Sequence, residues 1–238
     1  MAVRRIFGLC DSASFFVPEN VFPVFGHKLV ELSGKNKPVV SYIGAAKGDQ
    51  PERIADFCNL AERVGAEPRI LSLYDPPTRN ADSFFEGVDA IYVDGGSTRN
   101  LLALLKEWNV IEPLLQAYQQ GVLLSGASAG LNILFEWCIT DSVKSEMDSM
   151  AGLGVVQGAI CVHHDSSTER QKSFREYLRG ENAVFPAYAL DDGIVVYFEN
   201  EQLCDSFSAA PAAGLRAFSE KDGALVTRDI PAALLNPV

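Results

Sequence analysis

Short apolar runs of strand length alternate with longer amphipathic segments along most of this chain, and that alternation constrains its fold more than any other feature. Val3–Leu9, Pro38–Ile43, Glu67–Leu73 and Asp89–Val93 read as strands. Between them, PERIADFCNLAERV (Pro51–Val64) sets Ile54, Phe57, Leu60, Ala61 and Val64 on one helical face, with Pro51 near the start and Gly65 just past the end. Asn100–Lys106 is helical, and Ile111–Gln120 carries Ile111, Leu114, Leu115 and Tyr118 on one face. Val122–Leu124 is a further strand, followed by a helical pattern over Leu131–Trp137. Beyond Gly152 strands dominate: Ala159–Val162, Ala187–Leu190, Ile194–Glu199, Gln202–Cys204 and Ala224–Thr227, interrupted by one helix, Glu169–Leu178. Strand and helix in alternation predict an α/β fold, a doubly wound and mostly parallel sheet with helices on both faces. No repeat, low-complexity tract or linker intervenes, so residues 1–238 are expected to form one domain.

Charge and cysteine usage narrow the function classes. Twenty Lys and Arg stand against 31 Asp and Glu, a formal net charge of −11. A nucleic-acid partner is not expected, because its electrostatic footprint would be basic. Five cysteines, Cys10, Cys58, Cys138, Cys161 and Cys204, are scattered without a Cys-x-x-Cys pair and read as reduced core residues. MAVRRIFGLCDSASFF lacks a sustained apolar h-region, and no apolar stretch reaches the length of a membrane span. A cytoplasmic protein with no membrane partner is the expectation.

In a doubly wound sheet, ligands bind beyond the carboxyl ends of the strands. Two loops fit that position: Asp94-Gly95-Gly96-Ser97-Thr98 and Ser125-Gly126-Ala127-Ser128-Ala129-Gly130. A serine on a sharp strand-to-helix turn raises its hydroxyl above the sheet, beside free amides that can hold an oxyanion. The bland reading is a helix start that Ser125 or Ser128 merely caps. A serine nucleophile needs a base, and the chain has three histidines. His27 lies in an amphipathic stretch and reads as a surface or packing residue. His163 and His164 follow the strand AICV at another strand end, and either fits a base. Asp191 and Asp192 follow AYAL at a third, although Asp-Asp-Gly is also a good solvated turn. Between Ser128 and His163 the carboxylates weighed as an acid are Asp141, Glu146 and Asp148, and no histidine follows Asp192. The order Ser, His, Asp therefore disfavours an α/β-hydrolase, which runs Ser, acid, His.

YVDGGSTRNLLALL, LLSGASAGLN, CVHHD with Glu169-Arg170 after it, and YALDDG occur in that order. Together they resemble peptidase family S51, which holds aspartyl dipeptidase (peptidase E) and cyanophycinase, from about Pro38 to Phe198. The resemblance implies a flavodoxin-like three-layer α/β/α fold similar to class I glutamine amidotransferases. It also implies Ser128 as nucleophile, His163 as base and Asp192 as the orienting acid, with Asp191 as fallback. Val162 and His164 replace the family's proline and aromatic around that histidine, so the two histidines stay interchangeable here. The oxyanion donors would be the backbone amides of Gly96 and Ala129, and Gly95, Ser97 and Thr98 would line the substrate site. The usual Gly-Gly-Gly-Asn-Thr is altered to Asp94-Gly95-Gly96-Ser97-Thr98, while CDSAS near the amino terminus is given no role.

The implied reaction is hydrolysis of short peptides, Asp-Xaa dipeptides above all, through an acyl-enzyme. Arg170 falls where the family reads the substrate aspartate, and a guanidinium can grip a carboxylate with two parallel hydrogen bonds. An ion pair with Glu169 or Glu176 is the alternative reading of Arg170. Asp94, Asp165 and Glu169 are candidates to accept the substrate amine. The expected partner is a small peptide, with no cofactor and no metal, and a homodimer is compatible with the sequence. Cyanophycinase-like cleavage of β-Asp-Arg peptides, and a silent ligand-binding member of the fold, are the competing readings.

Overall fold

The computed structural model of the chain describes residues 2–75, 81–142 and 147–235. β1 (Arg5–Leu9), β5 (Leu123–Ala127), β4 (Ala90–Val93), β2 (Val39–Ile43) and β3 (Glu67–Ile70) lie side by side in that order, all parallel. β10 (Ile194–Glu199) pairs antiparallel with β1, and β11 (Gln202–Ser208) and β14 (Ala233–Leu234) extend that edge to give eight strands. Every residue of β4 and β5 is buried, as expected where helices or strands cover both faces of a parallel sheet.

A second sheet has six strands in the order β13 (Ala224–Ile230), β12 (Leu215–Lys221), β9 (Ala187–Leu190), β8 (Val156–Cys161), β6 (Phe135–Thr140) and β7 (Asp148–Ala151). Its centre, β9-β8-β6, is parallel and its outer strands are antiparallel.

The cores show how the layers stack. On one face of the main sheet Phe7, Leu9, Tyr42 and Tyr92 pack against Phe25 of α1 (Val24–Ser33) and Phe57 and Leu60 of α2 (Pro51–Arg63). On the other face Ile6, Ile91 and Leu124 share a core with Leu101 and Leu105 of α3 (Thr98–Glu107) and Leu114 of α4 (Ile111–Gln119). The same core takes in Phe135, Ile160 and Tyr188 of the second sheet. Phe135, Tyr188 and Phe198 meet edge to face with ring centroids 5.9–6.1 Å apart, a geometry aromatic rings favour, and they join the two sheets. α6 (Thr168–Leu178) covers the far face of the second sheet with Phe174 and Leu178.

The α/β reading holds, with helices on both faces of a doubly wound sheet, but the strands divide between two sheets. The helix expected over Leu131–Trp137 is a correction: α5 (Ala129–Asn132) has only one turn, and the chain then enters β6. Phe135 and Cys138 face the central core while Trp137 and Ile139 face the layer under α6, so the segment is buried from both sides. A short apolar run of that kind carries no period that separates strand from helix. The strands β7, β12 and β14 had no counterpart in the periodicity, and α1 corresponds only to the amphipathic stretch around His27. Among the cysteines all five are free; Cys10, Cys138 and Cys161 are buried, but Cys204 is exposed, against the expectation of a core residue. No helix of the described residues is long and apolar enough to cross a membrane.

Candidate active site

Strand β5 runs further than its apolar residues suggest, to Ala127, so the turn falls on Ser128 alone. Ser128 has φ 51° and ψ −111°, outside the ordinary regions for an L-residue, as strained functional turns often are. The glycines permit the turn by close approach: a Cβ on Gly126 would stand 2.4 Å from the Gly130 carbonyl oxygen, and one on Gly130 would stand 2.0 Å from that of Val93. Capping does not account for either serine. Ser128 makes no side-chain cap to α5, and the Ser125 hydroxyl donates to the Phe7 carbonyl at 2.7 Å. Instead Ser128 Oγ lies 2.8 Å from His163 Nε2.

The two histidines part company at the end of β8. His163 takes φ 54°, its backbone amide donates to Cys10 Sγ at 3.0 Å, and its Nδ1 stands 2.5 Å from Asp192 Oδ1. His164 turns the other way, its Nδ1 3.1 Å from Arg216 Nη1 and 3.4 Å from Asp191 Oδ1. Asp191 is tied down in turn, accepting from the Gly214 amide at 2.9 Å. Burial holds the His164 pKa below its ordinary value, and a neutral Nδ1 lone pair suits the guanidinium that donates to it. Asp192 is half exposed and faces the cavity; its amide donates to Asp165 Oδ1 at 3.0 Å. Glu146 lies outside the described residues.

The loop after β4 approaches the turn from the neighbouring strand. Gly96 has φ 140°, and a Cβ there would stand 2.4 Å from the Ala46 carbonyl oxygen, so the glycine is needed both for conformation and for space. Its amide has no acceptor among the described residues, while Ala129 opens α5, where the first amides lack partners within the helix. Asp94 is fully buried and accepts from Ser12 Oγ, Tyr42 Oη, Arg53 Nε and the Gly95 amide at 2.7–3.0 Å. That network pins the glycine loop and leaves Asp94 no role as an amine acceptor. Ser97 caps α3 by accepting from the Asn100 amide at 3.2 Å, and it does not line the cavity. Thr98 does line it, its Oγ1 3.3 Å from both Asn132 Nδ2 and Thr140 Oγ1.

These strand ends surround a cavity of about 590 Å³ that holds Ser128, His163 and Asp192 together with three cations, Lys47, Arg53 and Arg170. Arg170 is 5% exposed and pairs with Asp141 at 3.0 Å, rather than with Glu169 or Glu176. Its Nε is buried with no hydrogen-bond partner. Asp165 and Glu169, candidates for the substrate amine, lie outside the cavity lining, where Asp11 and Asp141 are the carboxylates besides Asp192. Cys10, Asp11, Lys47 and Arg53 had no role in the sequence reading. The strand-end rule, applied to β1 and β2 as well as to β4 and β5, would have flagged Cys10, Asp11 and Lys47. Among the described residues Cys10, His163 and Asp192 are the one set of three metal-type ligands within 4.8 Å of one another, and hydrogen bonds around His163 account for their closeness.

Comparison with known proteins points to one family. The profile of peptidase family S51 matches residues 12–205. The chain is 34% identical over 185 residues to a Bacillus subtilis (strain 168) protein described as the uncharacterized peptidase YgaJ, covering 78% of this chain and 80% of that one. Among solved structures it resembles a peptidase from an acI-B1 Actinobacterium, with a TM-score of 0.72 at 16% identity over 97% of this chain and 95% of the other. A putative peptidase E protein from Listeria monocytogenes EGD-e superposes with a TM-score of 0.67 at 17% identity, over 88% of this chain and all of the other, 100%. At those identities the structures speak for the fold, while the profile and the Bacillus relative carry the assignment: the chain belongs to peptidase family S51.

Proposed function

We propose that this peptidase hydrolyses Asp-Xaa dipeptides through a Ser128-His163-Asp192 triad. The carrying observation is the unbroken line from Ser128 Oγ to His163 Nε2 at 2.8 Å and from His163 Nδ1 to Asp192 at 2.5 Å, opening on a cavity with fixed arginines. His163 takes the Ser128 proton as Oγ attacks the scissile carbonyl carbon. The amides of Gly96 and Ala129 receive the oxyanion, and loss of one such donor typically lowers rate about 10²–10³-fold. His163 then protonates the leaving amine and activates the water that releases the acyl group, while Asp192 holds its tautomer.

Arg170 reads the aspartate side chain in this scheme. Its guanidinium is buried and paired with Asp141, whose side chain is 67% exposed and free to yield to a substrate carboxylate. The five free cysteines support a cytoplasmic location, where thiols stay reduced. Hydrolysis of a dipeptide panel by wild type and Ser128→Ala tests the reading. Cleavage confined to Asp-Xaa and abolished by Ser128→Ala is the expected result, and equal activity of the variant overturns the nucleophile. Arg170→Ala should lose Asp-Xaa turnover selectively, so an unchanged substrate preference removes its role.

A further inference from the structure

Arg53 and Lys47 line the same cavity as Ser128, and the reaction scheme uses neither. Lys47 lies in the connection between β2 and α2 and Arg53 in the first turn of α2; that connection touches the glycine loop, where Ser97 donates its amide to the Ala46 carbonyl at 3.0 Å and Lys47 follows Ala46. Arg53 is held in one orientation. Its Nε donates to the buried Asp94 at 2.9 Å, and its guanidinium carbon sits 3.8 Å from the centre of the Phe16 ring. Its Nη nitrogens make no hydrogen bond among the described residues, and Asp56, the other acid within 4 Å, is 3.9 Å from Nη1 on an exposed side chain. Lys47 has no ion-pair partner among the described residues. Arg170 is held differently, on α6 and paired with Asp141 just after β6, so the cavity takes Arg53 and Lys47 from elements of the main sheet and Arg170 from the helix over the second.

We propose that Arg53, supported by Lys47, binds the free α-carboxylate of the residue on the leaving side of the scissile bond. The inference rests on the peptidase reading and adds a second anionic requirement to it. An Asp-Xaa dipeptide carries one carboxylate on the acyl side and one on the leaving residue, and the cavity is lined by two guanidiniums, each fixed by its own carboxylate. A guanidinium whose Nε edge is spent on Asp94 keeps its Nη groups for a carboxylate, with its side-chain entropy already lost. Such a subsite makes the enzyme a dipeptidase in the strict sense, since an amidated or extended leaving side places a neutral group against Arg53 and Lys47.

The test crosses two substrate changes, Asp-Leu against Ala-Leu and each free acid against its carboxamide, in wild type, Arg53→Gln, Arg53→Lys, Lys47→Met and Arg170→Ala. Wild type should favour the free acid over the amide by at least about thirty-fold in kcat/KM, the scale of one charge-assisted contact. Arg53→Gln should bring that ratio within about three-fold, Lys47→Met should reduce it less, and Arg53→Lys should retain an intermediate ratio because a positive charge is kept without the guanidinium's paired donors. Damage to the glycine loop through Asp94 lowers both substrates together and leaves the ratio standing, which would overturn the subsite. A wild-type ratio near one overturns it as well, and loss of the ratio in Arg170→Ala instead of Arg53→Gln reverses the assignment. Failure of the parent reading looks different: Ala-Leu is then cleaved as well as Asp-Leu while the acid-to-amide ratio persists. If no peptide turns over, calorimetry of Asp-Leu and its amide binding to Ser128→Ala decides; equal affinity, or no binding of either, rejects the proposal.

Discussion

Two histidine–aspartate pairs sit side by side in this protein and are built for opposite ends. His163 with Asp192 is open to the cavity, one ring nitrogen on Ser128 and the other on a half-exposed carboxylate. His164 with Asp191 is turned inward, its aspartate 6% exposed and the pair covered by Arg216. The same residue types, one position apart, thus give one pair that reaches Ser128 and the cavity and one that is held inward by Arg216. Accessibility and what the second ring nitrogen touches separate them, not residue type.

The sharpest way to break the comparison is to remove each histidine in turn. His163→Gln should lower kcat/KM by about 10⁴-fold or more, the scale of losing a triad base, while His164→Gln stays within about ten-fold of wild type. Steady-state kinetics on Asp-Leu decide it, and a larger loss in His164→Gln would exchange the two roles.

The aspartates should divide in the same manner with smaller effects. Asp192→Asn withdraws the charge that orients His163, and a drop in kcat of up to about 10⁴-fold is expected with little change in folding stability. Asp191→Asn should keep most activity but lose about 1–3 kcal/mol in urea unfolding, because a buried acceptor serving the Gly214 amide and Arg216 is weakened.

Acid should expose the buried pair next. Burial lowers the His164 pKa below the ordinary value of about 6.5. The unfolded chain therefore binds the proton more readily than the folded one, so this contribution to stability is complete above about 6.5 and lost as pH falls through the folded pKa. Wild type should lose Tm more steeply between pH 7 and pH 5 than His164→Gln does; parallel Tm curves would show that His164 does not titrate against the fold.

The smallest effect concerns the thiol behind His163. Burial pushes the Cys10 thiol well above its ordinary pKa, and the His163 amide occupies its sulfur. Iodoacetamide at pH 8 should modify the exposed Cys204 and spare Cys10 until denaturant is added. Mass spectrometry reads the outcome, and rapid native labelling of Cys10 would mean that the backbone under His163 opens freely.

Much of the site could be read from the chain because its chemistry hangs on strand ends. Apolar runs locate the ends of β8 and β9 to within a residue, with two histidines and two aspartates just beyond, while the end of β5 is marked by the small residues around Ser128 and not by its apolar run. The small residues around Ser128 were legible too, as carbonyls packed 2.0–2.4 Å from where their side chains would begin now explain. Arg53 was not legible, since on α2 it is one more charged residue of an amphipathic helix until Asp94 and Phe16 fix it over the cavity. Arg170 was placed by resemblance, but its partner Asp141 follows directly on β6, a strand whose first residues periodicity reads as helix.

The sequence by itself determined the α/β alternation, the order Ser, His, Asp and the glycine-dependent turn, because these depend on local spacing and on backbone sterics. Only the tertiary structure decided that the strands form two sheets, that His163 and not His164 meets Ser128, and that three cations share one cavity. Those outcomes depend on contacts between residues tens to more than a hundred positions apart, and on which side of a buried strand has room, and neither quantity is encoded in any short window of the chain.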